Sequence, residues 1–168
     1  MAGFTSLPPG KHGFDGLAGY MSRVIYYRMK LNSEEAMVRL RAHNHGTFCT
    51  LHEQRGADAV PAVYALDADG YLGIPIDRVK PKTSTKLQRK SNLEFDGRAT
   101  LLVDQWHDTD WGQLWWVRAH LEWLGDTEPA RATALSTLLG EKYAQYADEP
   151  FERVLVFRIT AITGWSAA

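Results

Sequence analysis

Between Asn32 and Ile162 short apolar stretches alternate with turn-forming clusters, and most stretches carry a readable period. Asn32 followed by Glu35 has the spacing of a capping box, and Met37 and Leu40 continue a helical rhythm to about His43. Thr47-Phe48-Cys49-Thr50-Leu51 is rich in strand formers, Glu53 to Asp58 with Gly56 reads as a turn, and Ala59 to Leu66 reads as a second strand. Asp67-Ala68-Asp69-Gly70 is a tight turn before a third strand, Tyr71 to Ile76; the three segments predict an antiparallel meander. A loop then leads into a helix from about Ser84 to Phe95, ended by Asp96-Gly97. Ala99 to Val103 is a fourth strand, Asp104 to Gly112 a polar loop, and Leu114 to Leu124 a long strand. Glu128 to about Gln145 is helical, with Ala132, Leu135, Leu138 and Leu139 as its apolar stripe, and Arg153 to Ile162 alternates as the last strand. Six strands joined mostly as hairpins, with a few helices, predict a mainly β (α+β) fold: a small β-barrel flanked by helices.

The first 30 residues break this pattern. Met1 to Tyr20 holds Gly3, Gly10, Gly13, Gly16 and Gly19 with Pro8 and Pro9, and little apolar periodicity. A flexible or loosely docked extension over residues 1–30 is expected, followed by one domain over residues 31–168. Length and composition agree: 168 residues with 45% hydrophobic and 23% charged content suit a single domain with a real core. A net charge of −1 argues against a nucleic-acid binder. No apolar run approaches the ~20 residues that span a bilayer, and no long apolar segment near the N-terminus suggests a signal peptide. With Cys49 as the only cysteine, a cytoplasmic, membrane-free protein is expected.

Charge is not evenly spread. From Arg78 to Leu93 the chain carries Arg78, Lys80, Lys82, Lys86, Arg89 and Lys90 and no acid, threaded with Pro81, Thr83 and Ser84. Several cations, short hydroxyls and a helix start can cradle a phosphate; the same run would also serve as a solvated basic face. The second concentration is aromatic. Trp111, Trp115 and Trp116 fall within six residues, and on a strand Trp115 and Trp116 point to opposite faces. One can fill a core while its neighbour meets a ligand or a second subunit. Other groups promise less. Asp104, His107, Asp108 and Asp110 lack a metal-binding spacing, so no metal is expected; His43, His45 and His52 read as surface or capping residues, Cys49 as a small core residue. Tyr143 and Tyr146 are candidate proton donors or packing groups, and Tyr64 is a further donor candidate. There is no G-x-G-x-x-G and no nucleophile elbow.

In order, Asp77…Lys80-Pro81-Lys82-Thr83…Leu87…Arg89…Asn92, Leu101-Leu102-Val103-Asp104 and Asp110-Trp111…Leu114-Trp115-Trp116-Val117-Arg118 resemble the split-barrel flavin/deazaflavin oxidoreductases of the pyridoxamine 5′-phosphate oxidase class, most closely their actinobacterial deazaflavin (coenzyme F420)-dependent branch. Lys142-Tyr143…Tyr146 and Thr163-Gly164-Trp165 are similar to the same branch, so the likeness runs from Asn32 to Ala167. It implies a six-stranded split β-barrel and a homodimer with the cofactor in a cleft between subunits. It implies that Lys80, Lys82, Thr83 and Ser84 meet the cofactor phosphate or anionic tail, with Arg89 and Asn92 as cation and amide on the next helix and Asp77 among the cofactor-binding residues. Val60, Pro61, Ile74, Pro75 and Ile76 would line the ring and its side chain through backbone groups, and Trp111 or Trp116 would reach the same cleft, from either subunit. The implied activity is hydride transfer from reduced F420 to a conjugated small molecule. The alternatives are an FMN-dependent oxidase or reductase, or a flavin-, deazaflavin- or haem-binding carrier without turnover. The chain departs from the family at Gln54 to Ala59, where an Asp-Gly-Arg-Pro turn is usual, at Asp96-Gly97-Arg98 in place of Asn-Pro-Arg, and at Gly73 and Pro75 in the third strand.

Overall fold

The computed structural model describes residues 29–77, 87–148 and 150–167. Residues 1–28 of the expected extension lie outside them, as do Lys80, Lys82, Thr83 and Ser84. In chain order the elements are β1 (Lys30–Leu31), α1 (Ser33–Ala42), β2 (His45–His52), β3 (Gly56–Val63), β4 (Ala65–Leu66), β5 (Tyr71–Asp77), α2 (Gln88–Phe95), β6 (Arg98–Gln105), β7 (Trp115–Trp123), α3 (Pro129–Lys142) and β8 (Phe151–Ser166), with short 3₁₀ turns at Trp111–Gln113 and Ala144–Tyr146. The capping box forms as the spacing predicts. Asn32 Oδ1 accepts the Glu35 N–H at 2.9 Å, and Glu35 Oε2 accepts the Asn32 N–H at 2.8 Å.

The strands form one curled antiparallel sheet in the order β3-β2-β6-β7-β8-β5-β4, with β1 added to β8. Its spine is β8, sixteen residues long, whose first half pairs with β5 and whose second half pairs with β7. A register shift between His120 and Leu121 opposite it lets the sheet bend. The inner face is apolar throughout: Phe48, Leu72, Ile74, Leu101, Val103, Val117, Ala119, Leu155 and Phe157 form one buried cluster with Ala36 and Leu40 of α1 and Leu93 of α2. A second cluster lies on the other side of β8, where Val154 and Val156 meet Leu135 and Leu139 of α3. Gly73 makes that approach feasible, because a Cβ there would sit 2.9 Å from both Leu135 Cβ and Val154 Cγ1.

The result is a split-barrel-like α+β fold with eight strands among the described residues, not the six expected. Two differences account for it. Lys30–Leu31 adds a short strand to β8, and the expected strand Ala59–Leu66 is broken at Tyr64. Residues before Tyr64 pair with β2, and those after it pair with β5. The meander is therefore corrected: β5 leaves β3 and joins β4 and β8. The crossing is held by a side chain. The Tyr143 hydroxyl accepts the Tyr64 N–H at 3.2 Å and lies 2.7 Å from the Tyr64 carbonyl, giving the chain the partners that a ladder would have supplied.

Candidate functional site

Among the described residues no layer covers the outer face of β2, β6, β7 and the second half of β8, and two clefts lie along that face. One, of about 530 Å³, is lined chiefly by Leu102, Leu114, Trp115, Trp116, Arg118 and Trp165. The other, of about 470 Å³, includes Leu51, Ala57, Arg98, His120 and Thr160. Both include Cys49 and Thr100, so they form one groove, and no residue of α1, α2 or α3 lines either. The aromatic end is built by register: Trp116 and Trp165 are direct partners across β7 and β8, and Arg118 follows on the same face, its guanidinium 5.7 Å from the Trp116 ring centre. Trp115 packs against the core, as the alternation predicts, and also borders the cleft. Its indole N–H donates to Gln105 Oε1 at 3.0 Å and its ring lies under Arg39, 5.0 Å away. Cys49 is half-buried in this groove, which corrects its expected place in the core: Phe48 and Thr50 take the inward positions beside it.

The residues expected to hold a cofactor divide by place. Ile74 and Ile76 point their side chains into the barrel core, leaving only their backbone for a ligand. Val60 is exposed on the edge strand β3, next to Pro61. The Pro75 carbonyl accepts from Arg89 Nη2 at 3.2 Å, which ties α2 to the strand that precedes the basic loop. Asp77 ends β5. Trp116 lines the groove, whereas Trp111 stands 66% exposed on the 3₁₀ turn, its ring 6.1 Å from that of Trp106, itself 64% exposed. Asn92 is 2% exposed and packed among protein partners: its amide donates to Thr50 Oγ1 at 2.9 Å and to Asp58 Oδ2 at 3.1 Å, and its oxygen accepts from Gln88 Nε2 at 2.9 Å. The Asn92 amide bond, with help from Arg55, holds the Asp58 carboxyl below the ordinary carboxylate range. Asn92 thus fixes α2 against β2 and β3 at the return of the basic loop. Replacing it with Leu should cost about 2–3 kcal/mol in urea denaturation, since the Thr50 hydroxyl loses its partner in a buried place; a loss under about 0.5 kcal/mol would contradict this.

The other candidates are occupied locally. Asp110 caps its own turn, accepting from the Gly112 N–H at 3.0 Å and from Gln113 Nε2 at 2.9 Å. His107 Nδ1 accepts the Asp110 N–H at 2.9 Å, and among the described residues no cluster of acids, His and Cys could hold a metal. His52 Nδ1 caps its turn from the Gln54 and Arg55 N–H groups, and His43 lies edge-on to Trp115, its pKa lowered by burial and by His45 against the pull of Asp104. The phenols turn away from the groove. Burial pushes the Tyr64 phenol up, its hydroxyl donating to the Leu40 carbonyl at 2.6 Å, while Tyr143 lies 2.5 Å from the Asn44 carbonyl and Tyr146 packs on Phe151. Lys142, whose ammonium burial makes less basic, donates to the His43 carbonyl at 2.7 Å over the Tyr64 ring. Sequence reading missed Trp165, Leu102 and Arg118 as groove residues; the signal was the period of two that carries Trp116 and Arg118 onto one face.

A flavin-type group fits what is present. Its phosphate needs cations and short donors, which the sequence supplies between β5 and α2, and a conjugated ring brought against its own needs apolar surface, which Trp116, Trp165 and Leu102 offer. No helix among the described residues is long and apolar enough to cross a membrane.

No protein-family model and no curated protein matches the chain. Solved structures do. The conserved hypothetical protein Rv2991 from Mycobacterium tuberculosis superposes with a TM-score of 0.63 at 17% identity, over 83% of this chain and 87% of that one. A FAD-binding protein from Mesorhizobium loti gives 0.52 at 15% identity, over 80% and 93%. A haem-binding protein from Mycobacterium smegmatis gives 0.57 at 17% identity, over 80% of this chain but 57% of that longer one. At these identities the likeness speaks to architecture: the chain has the split-barrel-like α+β fold that these three proteins share.

Proposed function

We propose that this chain is an oxidoreductase that uses reduced deazaflavin coenzyme F420 to pass a hydride to a conjugated small-molecule acceptor. It would work as a homodimer, with the cofactor cleft at the subunit boundary. The observation that carries the reading is the aromatic groove across the outer sheet face, lined by Trp116, Trp165 and Leu102 and with no helix of the described residues on it. Support comes also from the ordered motifs around the basic run and from a fold that a FAD-binding protein adopts. Lys80, Lys82, Thr83 and Ser84 would hold the phosphate or the carboxylate tail, and Arg89 and Asn92 would keep α2, where the loop returns, fixed to β5 and β2. The cofactor would supply the hydride. The protein would position the acceptor and exclude water, so no dedicated triad is required.

FMN is the alternative cofactor, since its phosphate would suit the same loop. A carrier without turnover, for a flavin, a deazaflavin or haem, is the second reading. One observation favours it: of the three candidate donors Tyr64, Tyr143 and Tyr146, the first two place their hydroxyls on backbone carbonyls. Mixing the protein with reduced F420 and a panel of enones, quinones and tetrapyrroles separates the readings. Accelerated oxidation by at least one acceptor is expected; binding of F420 with no accelerated oxidation would favour the carrier.

A further inference from the structure

Among the described residues the outer sheet face carries Arg98, Arg118 and Arg158, and two of the three are paired with acids. Arg98 is held by Asp96, Nη2 to Oδ2 at 2.6 Å and Nε to Oδ1 at 3.0 Å, and Arg158 pairs with Glu122 across the strands. Among the described residues Arg118 has no carboxylate within ion-pair distance, although it is exposed and lines the aromatic cleft. Its guanidinium lies over the Trp116 ring, and a guanidinium over an aromatic face keeps its donors free for an anion. Across the strands its partner is Thr163, so no acid opposes it there. Asp104, which faces Trp116, is the acid among the residues lining this cleft.

We propose that this cleft selects planar, conjugated molecules that carry a carboxylate, with the ring system laid over the Trp116–Trp165 pair and the carboxylate on Arg118. Calling that molecule the hydride acceptor rests on the function proposed above; the binding chemistry does not. The spacing is specific. Arg118 stands two residues beyond Trp116 on one face, and two residues of strand span about 6.7 Å, roughly the length of a fused two-ring system. The guanidinium itself lies 5.7 Å from the Trp116 ring centre, so a carboxylate attached directly to a ring resting against the indoles comes within its reach. Asp104 repels the same group from the other end, so charge fixes which way the molecule lies. Trp106, exposed at the rim and lining the cleft, adds apolar surface for the far edge of the ring.

The probes are 2-naphthoate and its neutral counterpart 2-naphthamide, titrated calorimetrically into the full chain with no cofactor present. Naphthoate should bind about tenfold more tightly than the amide, the size of a charge-assisted bond at a partly open site. Arg118→Gln should remove that preference and leave amide binding unchanged, Trp116→Leu should weaken both probes, and Arg98→Gln should change neither. Because Arg118 is exposed and has no ion-pair partner among the described residues, its variant should keep the wild-type melting temperature. Equal binding of the two probes, or binding of neither because a second copy covers the cleft, overturns the proposal. Since no cofactor enters, a failed F420 titration with the probe preference intact would count against the proposed function alone.

Discussion

Phe157→Ala is expected to cost about 3–5 kcal/mol, the range for truncating a fully buried phenylalanine. Phe157 is 0% exposed on β8, and its ring meets that of Phe48 edge-on with centres 5.4 Å apart. The two residues come from opposite halves of the sheet. Phe48 belongs to β2, which reaches β8 only through β6 and β7, and Phe157 pairs with Leu72 on one side and Trp123 on the other. Removing the ring leaves a cavity where the sheet curls onto itself, and the surrounding strands cannot close on it without giving up ladder bonds. Against a usual total of about 5–15 kcal/mol, this is a large fraction. Urea denaturation should show a lower midpoint with an unchanged slope. A loss of about 1 kcal/mol would mean that the two halves are not held by this contact.

Lys82→Ala is expected to weaken cofactor binding about 10- to 100-fold, the worth of one charge-assisted hydrogen bond of about 1.5–3 kcal/mol. The argument comes from sequence and from what brackets it. Six cations and no acid lie between Arg78 and Leu93, so nothing within the run neutralises Lys82. The run leaves the end of β5 and returns into α2, which Arg89 and Asn92 fasten to β5, β2 and β3. Both ends of the run are thus anchored to the sheet. The effect should be larger at low ionic strength and shrink as salt is added, because the Debye length falls to about 8 Å near 0.15 M. Unchanged affinity at every salt concentration would place the phosphate elsewhere.

Much of the architecture was readable because it is local. The Asn32–Glu35 box, the turn at Asp67 to Gly70 and the opposite facing of Trp115 and Trp116 each depend on residues within a few positions. What escaped depends on distant partners. Ala59 to Leu66 is an unbroken apolar run, and nothing within it announces a break at Tyr64; the hydroxyl that stabilises the break belongs to Tyr143, 79 residues later. Asn92 enters through the resemblance, as an amide beside the cofactor, and its packing among protein partners is not legible locally. Its burial comes from Thr50 and Asp58, 42 and 34 residues earlier in the chain. Cys49 was placed in the core because its strand is apolar, but an uncovered apolar face looks the same in sequence as a covered one. The groove was half legible. Trp116 was singled out, whereas Trp165 joins it only because β8 runs on to Ser166.

The central claim is that a flavin-type cofactor, F420 before FMN, binds this chain. Its most direct test is a titration of the purified apo-protein with oxidised F420 and, separately, with FMN, followed by tryptophan fluorescence. The account predicts saturable quenching, with tighter binding of F420. Tighter binding of FMN would contradict the cofactor assignment, and saturable binding of neither would contradict the claim as a whole.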